Sequence, residues 1–294
     1  MDARVVVVGS LNADLAVPVA GLPPAGQTVA ATGEVLRGPG GKGANQAVGL
    51  ARLGRATAMV GAVGDDAEGR TMRAALAAEG VDDRHVATVD VPTGLAVVLV
   101  HGGESTIVVA AGANGTVDAD RVRAARAALA GAAAVVTQCE VPDSAIAAAA
   151  ELAGGLFVVN PAPARALPAA VLDRADLLVP NRGELATLAG AEEPRGTDAV
   201  ADLARALRPS ATTVVTCGAE GAVVVGPDRV VAVPAAPARL VDATAAGDSF
   251  VAALVDALVG GADVVEATGW AARAAAITVG RPGAIAALPR RAEL

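Results

Sequence analysis

What most constrains this chain is an alternation of short valine-rich runs with longer alanine-rich stretches of helical periodicity. RVVVVG is followed by GANQAVGLARLG, then ATAMVGAVG, then EGRTMRAALAAEG. Further on, AAVVTQCE, LFVVNPA, ADLLVPN and TTVVTCG each lead into a helical or turn pattern. Strands alternating with helices in this way build a parallel, doubly wound α/β sheet with helices on both faces. Ligands in such folds bind beyond the carboxyl ends of the strands, so chemistry is sought just after the valine runs.

Two segments break the alternation. LAVPVAGLPPAGQTVAATGEVLRGPGG and TGLAVVLVHGGESTIVVAAGAN are strand-rich, carry the turn signals PPAG and HGGES, and contain no helix. They are expected to form antiparallel strands of a small β lid, from about 12–40 and 93–112, within a single domain spanning 1–294.

Composition excludes several partners. Much of the 53% hydrophobic content is alanine, which favours close-packed helices. The longest apolar runs, such as AIAAAAELAGGLFVV, are interrupted before the ~18 residues of a membrane span. A net charge of −8 and 1% aromatic residues leave neither a basic surface nor stacking platforms for nucleic acid. The N-terminal valine run is expected to be a buried strand and not a secretory signal, and Cys139 and Cys217 fit no metal-ligand spacing, so a cytoplasmic chain with free thiols is expected.

Several short motifs carry polar groups to the strand ends. In GPGGKGAN, Lys42 is the single lysine among 23 basic residues. The motif is neither a phosphate-binding P-loop, which needs Ser or Thr after Gly-Lys, nor a dinucleotide fingerprint. Its glycines allow close backbone approach while Lys42 offers a point cation and Asn45 and Gln46 open a helix; a plain connecting turn is the alternative. In VDATAAGDSFVAALVDALV, the amides of Ala245, Ala246 and Gly247 would form an anion hole at a helix N-terminus, with Asp248 behind them; an N-cap is the alternative reading of Asp248.

Asn12 and Asp14 follow the first strand, two apart and hence on one face of an extended segment, though both are also turn formers. Glu140 ends a buried strand, where a carboxylate needs a hydroxyl or an amide as partner. Asn181 and Glu184, three apart at a helix start, suit either a hydrated Mg²⁺ or a helix cap. TVVTCGAEGA reads as strand, turn, strand, with Thr216, Gly218 and Gly221 able to approach phosphates; a plain hairpin is the alternative. His85 lies in a surface-like DDRH and His101 in a lid turn; neither has a catalytic partner, and GDSF is not a nucleophile elbow.

Together, GGKGANQA near the N-terminus and DATAAGDSF near the C-terminus resemble the two signature regions of the PfkB carbohydrate kinase family. GSLNADL, AGAN, QCEVP, VNPAPAR, VPNRGE, TCGAEGA and GRPGA follow in the family's order, and the set resembles the members that act on free D-ribose. The resemblance implies a three-layer α/β/α sandwich with a small β-sheet lid that doubles as a homodimer clasp. It implies ATP-dependent phosphorylation of D-ribose at O5, giving D-ribose 5-phosphate and ADP. A kinase for deoxyribose, another sugar or a nucleoside, or a non-catalytic sugar-binding regulator, are the alternatives.

By the same resemblance, Asn12, Asp14, Gly41, Lys42, Gly43, Ala44, Asn45 and Glu140 would hold the sugar, and Asp248 would be the general base. Asn181, Gly247 and the turn of Thr216, Cys217, Gly218, Ala219, Glu220 and Gly221 would hold ATP, with Glu184 ordering Mg²⁺ through water. Asp242, Thr244, Thr278, Arg281, Gly283 and Ala287 would surround an activating K⁺, largely through backbone carbonyls. Ala287 departs from the family pattern, where a serine hydroxyl is common.

Overall fold

The valine runs do form the strands of a central sheet. This computed structural model describes residues 4–102, 104–208 and 211–294. Its strands are β1 (Val5–Val8), β2 (Asn12–Pro18), β3 (Leu36–Gly40), β4 (Thr57–Gly64), β5 (Asp82–Val89), β6 (Gly94–His101), β7 (Glu104–Ala110), β8 (Ala134–Gln138), β9 (Leu156–Asn160), β10 (Leu177–Leu178), β11 (Thr212–Thr216), β12 (Ala222–Val225) and β13 (Val230–Val233). Its helices are α1 (Lys42–Arg52), α2 (Ala67–Ala78), α3 (Ala119–Ala124), α4 (Arg126–Ala130), α5 (Asp143–Leu152), α6 (Ala169–Arg174), α7 (Arg182–Ala189), α8 (Thr197–Leu207), α9 (Ala246–Val259) and α10 (Val264–Val279).

Nine strands make the central sheet, in the order β13-β12-β11-β10-β9-β8-β1-β4-β5. The two-residue period of β1 divides the core. Val5 and Val7 pack with α1, α2, α9 and α10 on one face; Val6 and Val8 pack with α3, α4, α5 and α6 on the other. The result is the three-layer α/β/α sandwich. Burying both faces of a strand accounts for the unbroken valine run: all four residues of β1 are completely buried.

Three details correct or extend the sequence expectation. The sheet is mixed, because β12 and β13 run antiparallel at one edge. DDRH, exposed or half-exposed along its length, opens the parallel edge strand β5, with His85 beside Val60. ADLLV contributes only the two-residue β10.

The second sheet has four strands in the order β3-β2-β6-β7. Strands β2 and β3, like β6 and β7, pair antiparallel, and β2 pairs with β6 in parallel. The turn expected at HGGES includes Gly103, outside the described residues. Among the described residues, no helix is long and apolar enough to cross a membrane.

Candidate active site

The sheet order reverses at β1: the chain runs to β4 and β5 on one side and later to β8 and beyond on the other. The crevice at such a switch point, at the carboxyl ends of the strands, is where open α/β sheets bind ligands. Here a cleft of about 590 Å³ opens, roofed in part by Ala96, Val98, Ser105, Ile107 and Val109 of the small sheet. Asn12, Asp14, Gly41, Lys42, Asn45, Glu140, Asn181, Glu184, Thr216, Thr244, Ala245, Gly247 and Asp248 all line it.

Local geometry explains how they meet. Gly41 has φ 89°, and a Cβ there would lie 2.7 Å from the Asn12 nitrogen, so glycine lets the chain pass and α1 start at Lys42. The Ser10 hydroxyl donates to the Glu140 carboxylate and accepts from the Gly43 amide at 3.2 Å; the Lys42 amide donates to Glu140 at 3.2 Å. Glu140 thus has the partners its burial requires. Asn114 donates to Asn12 Oδ1 at 2.7 Å and accepts from the Leu11 amide at 2.8 Å, fixing the start of β2.

Asp248 sits in the first turn of α9 but caps nothing. The N-cap is Ala245, whose φ of 58° makes it the one non-glycine with positive φ among the described residues. Instead Asp248 Oδ2 accepts from Asn45 Nδ2 at 2.8 Å and Oδ1 from Gln46 Nε2 at 2.9 Å. The amides of the Ala245–Gly247 turn stand at the positive end of this 14-residue helix.

The cleft is electrostatically lopsided. Asp14, Glu140, Glu184 and Asp248 share it with Lys42. Burial pushes the Asp14 carboxyl up to about 7, reinforced by Glu140 and Asp248 and opposed by Lys42. Burial also raises Glu184, against the Asn181 amide and Lys42. For Lys42 burial acts downward, yet Asp248, Glu140, Glu184 and Asp14 together outweigh it and hold the ammonium above its ordinary value.

Among the described residues, no group of three or more His, Cys, Asp or Glu side chains converges to hold a metal ion alone. Glu184 and Asp248, both lining the cleft, match what Mg²⁺ takes, one or two carboxylates besides substrate phosphates and its own waters. Glu184 also closes a capping box with Asn181, each side chain meeting the other's amide at 2.7 Å. Both sequence alternatives for this pair are therefore compatible.

Some expected site residues lie elsewhere. Gly43 and Ala44 are buried behind the cleft wall: a Cβ on Gly43 would come within 2.5 Å of the Ser10 nitrogen, and the Ala44 amide donates to the Ser10 carbonyl at 2.9 Å. They seat α1 against the β1–β2 turn and do not face the cleft. Ala246 is the first residue of α9 and is not part of the lining. Cys217 is buried in the core, Gly218, Ala219 and Glu220 form an exposed turn beside Thr216, and Gly221 is buried at φ 97°. Glu220 pairs with Arg182 at 2.8 Å.

The set expected around a monovalent ion is brought together in part. Asp242 accepts from the Thr244 amide at 2.9 Å and the Gly283 amide at 2.8 Å. The Thr278 hydroxyl instead bonds Ser249 and the Ala274 carbonyl, and Arg281 pairs with Glu293 at 2.5 Å while its amide donates to the Thr278 carbonyl at 3.1 Å. Ala287 is completely buried and brings no oxygen in its side chain.

Sequence reasoning missed Ser10, Gln46, Asn114, Gln138 and Asn160 as members of this network. Asn160 ends β9 at the carboxyl edge of the sheet, which was a usable signal.

The profile of the pfkB family carbohydrate kinases matches residues 2–291. A ribokinase of Haemophilus influenzae is 36% identical, with 100% of this chain and 97% of the relative covered. A ribokinase of Bacillus subtilis is 35% identical, covering 99% and 98%. Among solved structures, the ribokinase of Arabidopsis thaliana complexed with ribose and ATP superposes with a TM-score of 0.89 at 32% identity, covering 100% and 97%.

Proposed function

The chain belongs to the pfkB family of carbohydrate kinases, and from that premise we propose that it transfers the γ-phosphoryl group of ATP to O5 of D-ribose, giving D-ribose 5-phosphate and ADP. The observation that carries this is Asp248: a carboxylate at the anion-binding end of α9, gripped at both oxygens, in the same cleft as Asn12, Asp14, Lys42 and Glu140.

Asn12, Asp14, Asn45 and Glu140 bind the sugar hydroxyls. Asp248 takes the O5 proton as the new P–O bond forms and the bond to the ADP oxygen breaks. The transition state spreads charge over the phosphoryl oxygens, and the amides of Ala245 and Gly247, which line the cleft, face that charge without reorganising, whereas the Ala246 amide donates to the Ala243 carbonyl at 3.2 Å. Lys42 adds a point cation that the surrounding carboxylates keep protonated. Asn181, Thr216 and the adjoining turn hold the nucleotide. Glu184 orders the waters of Mg²⁺, which neutralises phosphate charge when bound.

Three finer statements belong to the same proposal. K⁺ activates from beside Asp242. The small sheet also serves as a dimer clasp: Leu36 and Ile107, which the register puts on one face, are each 53% exposed, an apolar surface a second copy would cover, and a monomeric mass in solution would contradict it. Cys139 and Cys217 are free and buried, as suits a reducing cytoplasm.

The test is ADP release from Mg-ATP with D-ribose, 2-deoxyribose, fructose and adenosine in parallel. Ribose-dependent turnover that falls by roughly 10³-fold or more in Asp248→Asn, with ribose binding retained, supports both the assignment and the base. Preference for another acceptor moves the specificity. Ribose binding without turnover in the wild type overturns the kinase assignment.

A further inference from the structure

We propose that Gln46 is a positioning residue for the base: a buried chain of carboxamides, Gln138 to Gln46 to Asp248, holds Gln46 so that it can only donate to the carboxylate. The proposal rests on Asp248 being the base.

The polarity of the chain follows from one fixed acceptor. The Val179 carbonyl accepts from Asn160 Nδ2 at 2.8 Å, which turns Asn160 Oδ1 toward Gln46. Gln46 Nε2 donates one hydrogen to that oxygen at 3.0 Å and the other to Asp248 Oδ1 at 2.9 Å. Its own Oε1 accepts from Gln138 Nε2 at 2.6 Å. Flipping the Gln46 amide would set its oxygen against two acceptors and its nitrogen against a donor.

Gln138 presents that donor at a cost, for its Oε1 is left buried without a partner, packed on Gly9. Gln46 and Gln138 are completely buried and Asn160 is 8% exposed, so water does not offer a substitute. With Asn45 Nδ2 on Oδ2 at 2.8 Å, the carboxylate plane is pinned at both ends.

The consequence is chemical as well as geometric. An N–H aimed at a carboxylate oxygen favours the charged form and fixes which lone pairs remain for an incoming hydroxyl. The charged groups sharing the cleft with Asp248 are Lys42 of α1, Asp14 of β2, Glu140 after β8 and Glu184 of α7. Three of these four charges lie on other elements than Gln46, and Lys42 is the neighbour on the same helix.

Gln46→Met keeps the volume and removes the donor. Expected are a kcat lower by roughly 10-fold to 100-fold, KM values for ribose and ATP within about 3-fold of wild type, and an acid limb of the kcat/KM profile displaced upward by about one pH unit. Gln138→Met, which loosens only the lock on Gln46, should move kcat and the limb in the same direction by less. It decides the matter alone if Gln46→Met does not fold.

A folded Gln46→Met, or failing that a folded Gln138→Met, with wild-type kcat and an unmoved limb overturns the proposal. So does a lower kcat accompanied by an unmoved limb, which is what loss of packing alone would give. Asp248→Asn run alongside separates the two levels: retained turnover there defeats the assignment of the base itself, whatever the glutamine variants do.

Discussion

Ser10 and Glu140, 130 residues apart, meet across the switch point of the sheet, the serine hydroxyl donating to the carboxylate. One residue follows β1 and the other follows β8, so the contact ties together the two halves of the fold at the cleft. Removing the hydroxyl leaves Glu140 with the Lys42 amide but without its aim. Ser10→Ala is expected to raise the KM for ribose roughly 5-fold to 10-fold, the worth of about one hydrogen bond, with kcat within about 2-fold. Steady-state kinetics with ribose as the varied substrate checks it. An unchanged KM would mean that Glu140 does not touch the sugar.

Asp14 makes the ligand-free protein sensitive to pH. Its native carboxyl holds its proton up to about 7, chiefly through burial, whereas the unfolded chain releases it in the ordinary carboxylate range. Between those values the native state binds more protons than the unfolded state, so this group's contribution to stability falls as pH rises through the window and is lowest above it. Asp14→Asn removes the dependence. Without ligands, the variant should melt on the order of 2–4 °C above wild type at pH 8 and no higher than wild type at pH 4. Melting curves across that range decide it, and a gain independent of pH would rule out the carboxyl as its source.

Lys42 is the cation within a ring of carboxylates, and it sits at the first position of α1, beyond the glycine that lets the chain turn. Substituting methionine leaves Asp14, Glu140, Glu184 and Asp248 mutually repelling as a tetra-anionic nucleotide approaches. Lys42→Met is expected to lower kcat about 10²-fold and to raise the KM for ribose, the cost seen when a preorganised charge is removed from a transition state. Lys42→Arg should rescue little, because a planar fork does not replace a compact ammonium in a closed space. Turnover and sugar KM both unchanged in Lys42→Met would remove the lysine from the chemistry.

The parts of this site that sequence made legible are those whose function shows in local pattern. Asn12 and Asp14 end up on the cleft side of β2 because alternation along a strand fixes which side chains share a face. Asp248 stands in the first turn of a helix opened by small residues, and that too is a local signature. The carboxamide chain was not legible: Gln46 meets Gln138 across 92 residues and Asn160 across 114, and an amide's partner is set by tertiary approach, which periodicity does not encode. Gly43 and Ala44 failed in the opposite sense. Glycine-rich sequence signals close approach, but here the approaching group is the backbone of Ser10 and not a ligand. Strand β5 escaped because its polar start, DDRH, pairs at the sheet edge, where burial on both faces is not required.

Asp242 joins the segment before α9 to the segment after α10, its carboxylate taking the amides of Thr244 and Gly283 at 2.9 and 2.8 Å. The Val279 carbonyl adds a second stitch, accepting from the amides of Val241 and Asp242 at 2.7 and 3.1 Å. Among the described residues, no cationic side chain forms an ion pair with Asp242, so its charge is answered only by backbone dipoles a few residues from the Ala245–Gly247 turn. A bound K⁺ would neutralise it and steady the Ala245–Gly247 turn, even though Ala287 brings no side-chain oxygen. Replacing Na⁺ by K⁺ should therefore raise wild-type kcat roughly 5-fold or more, and Asp242→Asn, which keeps the shape and loses the charge, should bring the two salts to the same rate. If Asp242 is only a stitch between segments, Asp242→Asn will slow the enzyme equally in both salts and leave their ratio where it was. Comparing rates at constant ionic strength separates the two, because the ratio reports the ion and the absolute rate reports the fold.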